Sequence, residues 1–517
     1  MTSSLIRGRP RRAASHISVR VLHTVLGGFA GMVWLALPGM TAHGGAPAAA
    51  TRTEHRPAAS TAARSADEAS PTDLVLPLAV GGAVGALAGF GYVRHTRRAR
   101  QRTATAPGTA AAPAAAPPLP ELEERAGTLL AEADDCVRVC REELGFAEAL
   151  SGAAAVAPFA RAVRDAEAEL SAAFRMRQRY DDGVPEDEPA RRHMLAGIVG
   201  RCQEAGRRLD AETDAFDRLR GPDGGVGGAL GIAEVRFREL TGRATAAEAT
   251  LVRLTGRYAP SATRAVTGHA EQATDRLFFA TSRLNRAHQA ADLGRGGPAA
   301  RDLRAAEGAT AQAATLLTAV DQRAAALSRA EELLPAALTG AEAELAEARA
   351  AGAAGADTAR ADGVLADVRE EVASGRYDPL DALRRVVRAV VPLGAGRAGV
   401  LSAAALLVAR DAADTAACFV ATHRGAVGGT ARTRLAEAQR LLVADAPGLL
   451  TAESLARSAL ELAEQDARDR AREAMRHAND LTDAVLAGVL LDTGTPPAFG
   501  GPRTRARLGT PPPAQPR

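Results

Sequence analysis

The sequence predicts an all-α chain, and three observations predict it. Hydrophobic residues make up 46% of the 517 residues while aromatics are only 3%, so the apolar side is mostly Ala, Leu and Val. Ala loses no side-chain entropy in a helix, and Leu, Arg and Glu lose little. From Glu121 onward apolar residues recur with helical spacing: Leu122, Ala126, Leu129, Ala133, Cys136 and Cys140 form one stripe of an amphipathic helix or coiled coil. Gly and Pro then punctuate the chain at intervals suited to helices rather than strands. Helices so rich in Ala bury little area each, which argues against one large core.

The N-terminal elements are read by charge and hydropathy. Residues 1–48 have the layout of a secretory signal peptide: an acid-free basic start, an apolar run from Val21 to Met40, and Ala46-Pro47-Ala48 as a cleavage candidate. His23 and Pro38 within the run leave an uncleaved anchor as the alternative. Residues 49–73 are a short Ala/Ser/Thr-rich segment expected outside the membrane without fixed structure. Residues 74–93 carry no charge, and twenty residues at about 1.5 Å each span roughly 30 Å, the bilayer core. Asp67, Glu68 and Asp73 precede this stretch, and Arg94, Arg97, Arg98, Arg100 and Arg102 follow it. The positive-inside rule then places everything after Arg94 in the cytoplasm. Within the span Gly81, Gly85 and Gly89 recur every four residues, a ridge that lets two transmembrane backbones approach and favours a homo-oligomer.

Residues 94–120 combine the arginine cluster with an Ala/Pro-rich linker expected to be disordered. Residues 121–491 form the cytoplasmic helical or coiled-coil region, divided into antiparallel hairpins. Breaks are expected at Pro185 and Pro189, Gly221 to Gly228, Tyr258-Ala259-Pro260, Gly294 to Pro298, Gly352, Gly375, Gly394 and Gly428, with a turn near Pro447. Gly294-Arg295-x-x-Pro298 and Gly375-Arg376-x-x-Pro379 match in spacing, each between two helical stretches. Residues 492–517, rich in Pro, Gly and Arg without periodicity, are expected to be a disordered tail.

Composition also excludes chemistry. All 64 basic residues are Arg, so there is no Walker lysine for phosphates and no lysine for a Schiff base. The net charge of +3 hides basic ends around an acidic body, which repels phosphate backbones and disfavours nucleic acid. No H-E-x-x-H or G-x-S-x-G occurs, and glycine runs such as Gly224 to Gly231 do not complete G-x-G-x-x-G. His269-Ala-Glu271 lacks the P-C-x-x-C that a deaminase zinc site needs. Cys136, Cys140, Cys202 and Cys418 lack the spacing of metal ligands and are expected to be small buried hydrophobes; oxidative linkage at a dimer seam is the sharper alternative for the first two. Pro185 to Pro189 reads as an acidic helix start, and Phe174, Phe278 and Phe279 as helix-face core. No catalytic residue, cofactor or metal is expected.

Several runs, taken in order, carry a family resemblance: Glu142-Glu143-Leu144-Gly145-Phe146-Ala147, Glu169 to Gln178, Pro185 to Glu188, Phe216-Asp217-Arg218-Leu219-Arg220, Arg257-Tyr258-Ala259-Pro260-Ser261-Ala262, Arg424 to Gly428 and Ala484 to Leu491. Over roughly residues 74–500 the chain resembles the cytoplasmic helical half of membrane proteins that carry a TPM domain. The resemblance implies a membrane-tethered helical module. The 25 or so residues between signal segment and membrane helix are too few for a TPM domain, so the activity suggested for that domain has no positions here. The expectation is a non-enzymatic single-pass scaffold for self-association or for a cytoplasmic protein partner. The alternatives are a degenerate paralogue acting with a TPM-containing partner and a membrane-associated stress or envelope component.

Overall fold

Every element among the described residues is helical, as the Ala/Leu periodicity requires. The computed structural model describes residues 117–221, 226–352, 355–393, 399–477 and 498–509, all within the unit Pro117–Arg517. The signal segment, the apolar stretch 74–93 with Gly81, Gly85 and Gly89, and the cluster Arg94, Arg97, Arg98, Arg100 and Arg102 lie outside these residues. Among the described residues no helix is long and apolar enough to cross a membrane.

The chain first makes a three-helix bundle: α1 (Leu119–Ser151), α2 (Ala153–Asp181) and α3 (Glu188–Leu219). A single residue, Gly152 at φ +82°, reverses the chain between α1 and α2, a left-handed conformation that only glycine adopts without strain. The pairs Arg141–Glu167 and Arg177–Glu123 run in opposite senses along α1 and α2, which makes them antiparallel. Glu169 with Arg201 and Tyr180 with Arg191 bring α3 back the other way. The predicted acidic helix start is where α3 begins: the Asp187 carboxylate accepts from Ala190 N–H at 2.7 Å, the usual work of an N-cap.

The second bundle joins α4 (Val226–Arg257), α6 (His269–Asp292) and the first half of α7 (Gly296–Ala350). A short helix, α5 (Pro260–Thr263), links the first two. Glu234 meets His288, Arg283 meets Asp302, and Arg243 meets Asp321, giving an up-down-up order. α7 is one continuous 55-residue helix, about 80 Å at 1.5 Å per residue. Its second half enters a further core with α8 (Ala356–Ser374), α9 (Pro379–Val390) and α10 (Val400–Thr422). The hairpin α11 (Gly429–Leu441) and α12 (Ala446–His477) then packs on α10, and α13 (Pro502–Gly509) ends the described chain.

Burial is divided among separate small cores rather than one seam. The helices therefore assemble as bundles, not as one long coiled coil, because glycine or proline interrupts nearly every helix within about nine turns. Both G-R-x-x-P runs sit at helix starts, with Gly294 at φ +67° and Gly375 at φ +135°. Three expectations fail. Gly227 and Gly228 lie inside α4, since the buried Ala229, Leu230 and Ala233 that follow hold the start of the helix in its core against glycine's poor propensity. Phe278 is 60% exposed while its neighbour Phe279 is half-buried, because adjacent helical positions point about 100° apart. The C-terminal tail is not patternless throughout: Ala498, Phe499, Gly500 and Gly501 are buried against the first bundle.

Candidate interaction site

Two buried charge clusters and one partly buried pair join the bundles and thereby shape the surface between them. In the first, Arg220 just past α3 donates to Glu143 of α1 at 3.1 Å and to Glu307 of α7 at 2.6 Å; all three side chains are at most 4% exposed. Burial pushes the Glu307 carboxyl up to about 7 against the pull of Arg220, and raises Glu143 likewise. Two carboxylates facing one guanidinium leave an excess negative charge, which a proton relieves. In the second, Arg432 of α11, 1% exposed, reaches Asp134 at 2.5 Å and Asp135 at 2.8 Å on α1. Burial opposes ionisation of Asp134, yet Arg138 and Arg432 together hold its carboxyl below the ordinary value. In the third, Arg323 of α7 pairs with Asp411 of α10 at 2.5 Å and also donates to the Ala262 carbonyl.

A fourth buried cation differs from these. Arg276 of α6 is 1% exposed and donates to two neutral oxygens, Gln312 Oε1 and the Gln272 carbonyl, both at 3.0 Å. Burial lowers its pKa. His269, whose Nδ1 has no partner, is pushed down to about 4 by burial, His423 and Arg276. Cys418 lies near the same arginine with its thiol pushed up to about 11 by burial.

The surface so framed on the first bundle is a groove along α1 and α3, and the segment Ala498–Arg505 fills it. Phe499, 1% exposed, stacks on Phe216 of α3 with centroids 4.2 Å apart and stands edge-on to Phe159 of α2. Gly500 donates its N–H to the Cys140 sulfur at 3.2 Å, and the Cys140 thiol faces the Gly500 carbonyl at 3.5 Å. One carboxylate of α3 gathers the start of α13: Asp210 Oδ1 accepts from Gly501 N–H at 2.8 Å, Thr504 N–H at 3.1 Å and the Thr504 hydroxyl at 2.7 Å. Thr213 bonds the same hydroxyl, and Arg505 donates to the Asp135 carbonyl. The backbones touch here. A Cβ on Gly501 would overlap the Gly206 carbonyl oxygen, and one on Gly206 would come within 2.6 Å of Pro502.

All four cysteines are free and buried, as expected from the sequence. Cys136 and Cys140 lie under the docked segment, Cys202 shares their core, and burial pushes the Cys136 and Cys202 thiols up to about 12. Among the described residues no group of three or more His, Cys, Asp or Glu could hold a metal. Sequence reasoning missed Asp210, Phe499 and Thr504, and named Phe216 only as part of the family resemblance. The available signal was a lone Phe set against Gly-Gly-Pro-Arg-Thr in a chain with few aromatics.

The arrangement defines a class: several helical bundles strung on one long helix and joined by buried ion pairs. In sequence the chain is similar to UPF0603 proteins of Mycobacterium tuberculosis, one from strain CDC 1551 / Oshkosh and one from strain ATCC 25618 / H37Rv. Each is 30% identical over 424 residues, covering 75% of this chain and 64% of the relative. The chain thus spans less than two thirds of the length of these curated relatives. No family model matches the chain, and no solved structure matches it.

Proposed function

We propose that the chain is a non-enzymatic scaffold tethered to the membrane, presenting charged helix faces to the cytoplasm for self-association or for a protein partner. The observation that carries this reading is the set of ion pairs that join the bundles. Arg220 ties the end of α3 to α7, Arg323 ties α7 to α10 and Arg432 ties α11 to α1, each by charge-assisted bonds between helices distant in sequence. A frame of that kind suits display of surfaces at set spacing. The anchor supports the reading from the sequence side: the uncharged stretch 74–93 and the following arginines keep copies concentrated in one plane. The finer tie to TPM-domain proteins is part of the same proposal, and its support is the run of motifs quoted above. Their residues Glu142, Glu143, Phe216, Arg220, Tyr258 and Arg424 all take part in joints or buried cores.

The test is association in the membrane. Two differently tagged full-length copies, co-expressed and cross-linked in intact membranes, should capture each other, and Gly85→Leu should lower that capture. If the two tags never cross-link and neither enriches a cytoplasmic protein over a control membrane protein, the scaffold reading fails.

A further inference from the structure

We propose that the groove on the first bundle is a peptide-binding site whose ligand class is an aromatic-Gly-Gly-Pro-x-Thr segment, occupied reversibly by this chain's own residues 499–504. Each position of the ligand answers a feature of the groove. The aromatic ring fits the slot between Phe216 and Phe159. The two glycines are required because any side chain at Gly500 or Gly501 would collide with Thr213 or the Gly206 backbone. Pro502 suits the first turn of α13, where no N–H is needed, and rests against Gly206. The Thr504 hydroxyl and the backbone N–H groups of Gly501 and Thr504 converge on the single carboxylate of Asp210.

This is recognition rather than generic packing. Asp210 acts as the N-cap of a helix that begins some 290 positions later in the chain, a role that ordinary helices fill locally. The contact is also of the kind that exchanges. α13 has eight residues, too few to be stable alone in water, so the segment gains its helix only when the groove caps it. No covalent bond holds it, since Cys136 and Cys140 are free thiols. Coupling of ordering to docking lowers the affinity gained per unit of interface, which favours exchange.

The docked segment covers Cys140, so thiol access reports occupancy without any assumption about scaffold function. In the full-length chain, alkylation by iodoacetamide is followed at the Cys140 peptide by mass spectrometry. Phe499→Ala and, separately, Gly501→Ala should each speed Cys140 alkylation about tenfold or more, while Cys418, which belongs to a different core, keeps its rate. A synthetic peptide of residues 498–509 added to either variant should restore protection, and the same peptide carrying Gly501→Ala should not. Asp210→Asn in the groove should weaken the rescue. Unchanged Cys140 rates in both variants, or rescue by the Gly501→Ala peptide as good as by the natural one, would overturn the proposal. Protection in the unaltered chain that climbs with protein concentration would instead place a second copy's segment in the groove and overturn the intramolecular assignment.

Discussion

At the scale of single residues, the Glu143–Arg220–Glu307 cluster is where charge and burial conflict most. Glu307 is raised from the ordinary 4.5 to about 7 by burial, with Glu143 moved the same way. The folded value lies above the unfolded one, so as pH climbs the unfolded chain releases its proton first. The stability contributed by the protonated form is full below about pH 4.5 and is lost as pH rises through about 7. Glu307→Gln keeps a neutral side chain of the same shape and does not titrate. Its stability relative to the unaltered chain should therefore rise between pH 4.5 and pH 8, by on the order of 1–3 kcal/mol. Urea unfolding at several pH values measures this, and parallel profiles for the two chains would refute it. Arg220→Met moves the other way, because it leaves two buried carboxyls without their cation and costs about 3–5 kcal/mol. Glu143 and Arg220 stood in motifs visible in the sequence, and Glu307 did not. Their joint role was not legible, because periodicity shows that a position is buried but not that positions 143, 220 and 307 meet.

At the scale of helices, the sequence marked most ends and few contacts. Asp187, Pro260, Gly294, Gly352, Gly375 and Gly428 each fall at or beside an observed boundary, since capping and left-handed backbone are local properties. Which helix lies on which is decided by residues far apart, and the Gly429–Gly127 approach of α11 to α1 shows it. A Cβ on Gly429 would stand 2.6 Å from the Gly127 carbonyl oxygen, whereas a Cβ on Gly127 meets nothing within 4 Å. The two glycines look alike in the sequence and should behave oppositely. Gly127→Ala lies inside α1 and should stabilise by up to about 1 kcal/mol through helix propensity. Gly429→Ala must push α11 off α1, straining the Arg432 cluster, and should cost roughly 1–3 kcal/mol. Thermal unfolding of both variants decides it: equal shifts of either sign would show that α11 and α1 do not share this close seam. The tail was misread for a related reason, since Phe499 gains its meaning from Phe216 and Thr504 from Asp210, both on α3.

At the scale of the whole described unit, α7 decides whether the bundles behave as one body. Its first half supplies Leu316, Leu317 and Val320 to the core shared with α4 and α6. Its second half supplies Leu327, Leu334 and Leu345 to the core of α8, α9 and α10. Between them the exposed Ala325 touches neither core, and the chief strap across this joint is Arg323 to Asp411. A helix transmits order from one core to the next because each backbone bond depends on the turn before it. Proline at this point removes one such bond and clashes with the carbonyl four residues back, at a cost of about 3 kcal/mol, while leaving both cores their side chains. Ala325→Pro should therefore uncouple the two cores more than it weakens either. Calorimetry of the unaltered chain should show these cores melting together, and the variant should resolve into two transitions, with helicity at low temperature nearly unchanged. A second change, Asp411→Asn, loosens the strap and should widen the separation further. If Ala325→Pro gave one transition merely displaced to lower temperature, the continuity of α7 would not be what couples the bundles, and α10, which touches both cores, would have to carry that role alone.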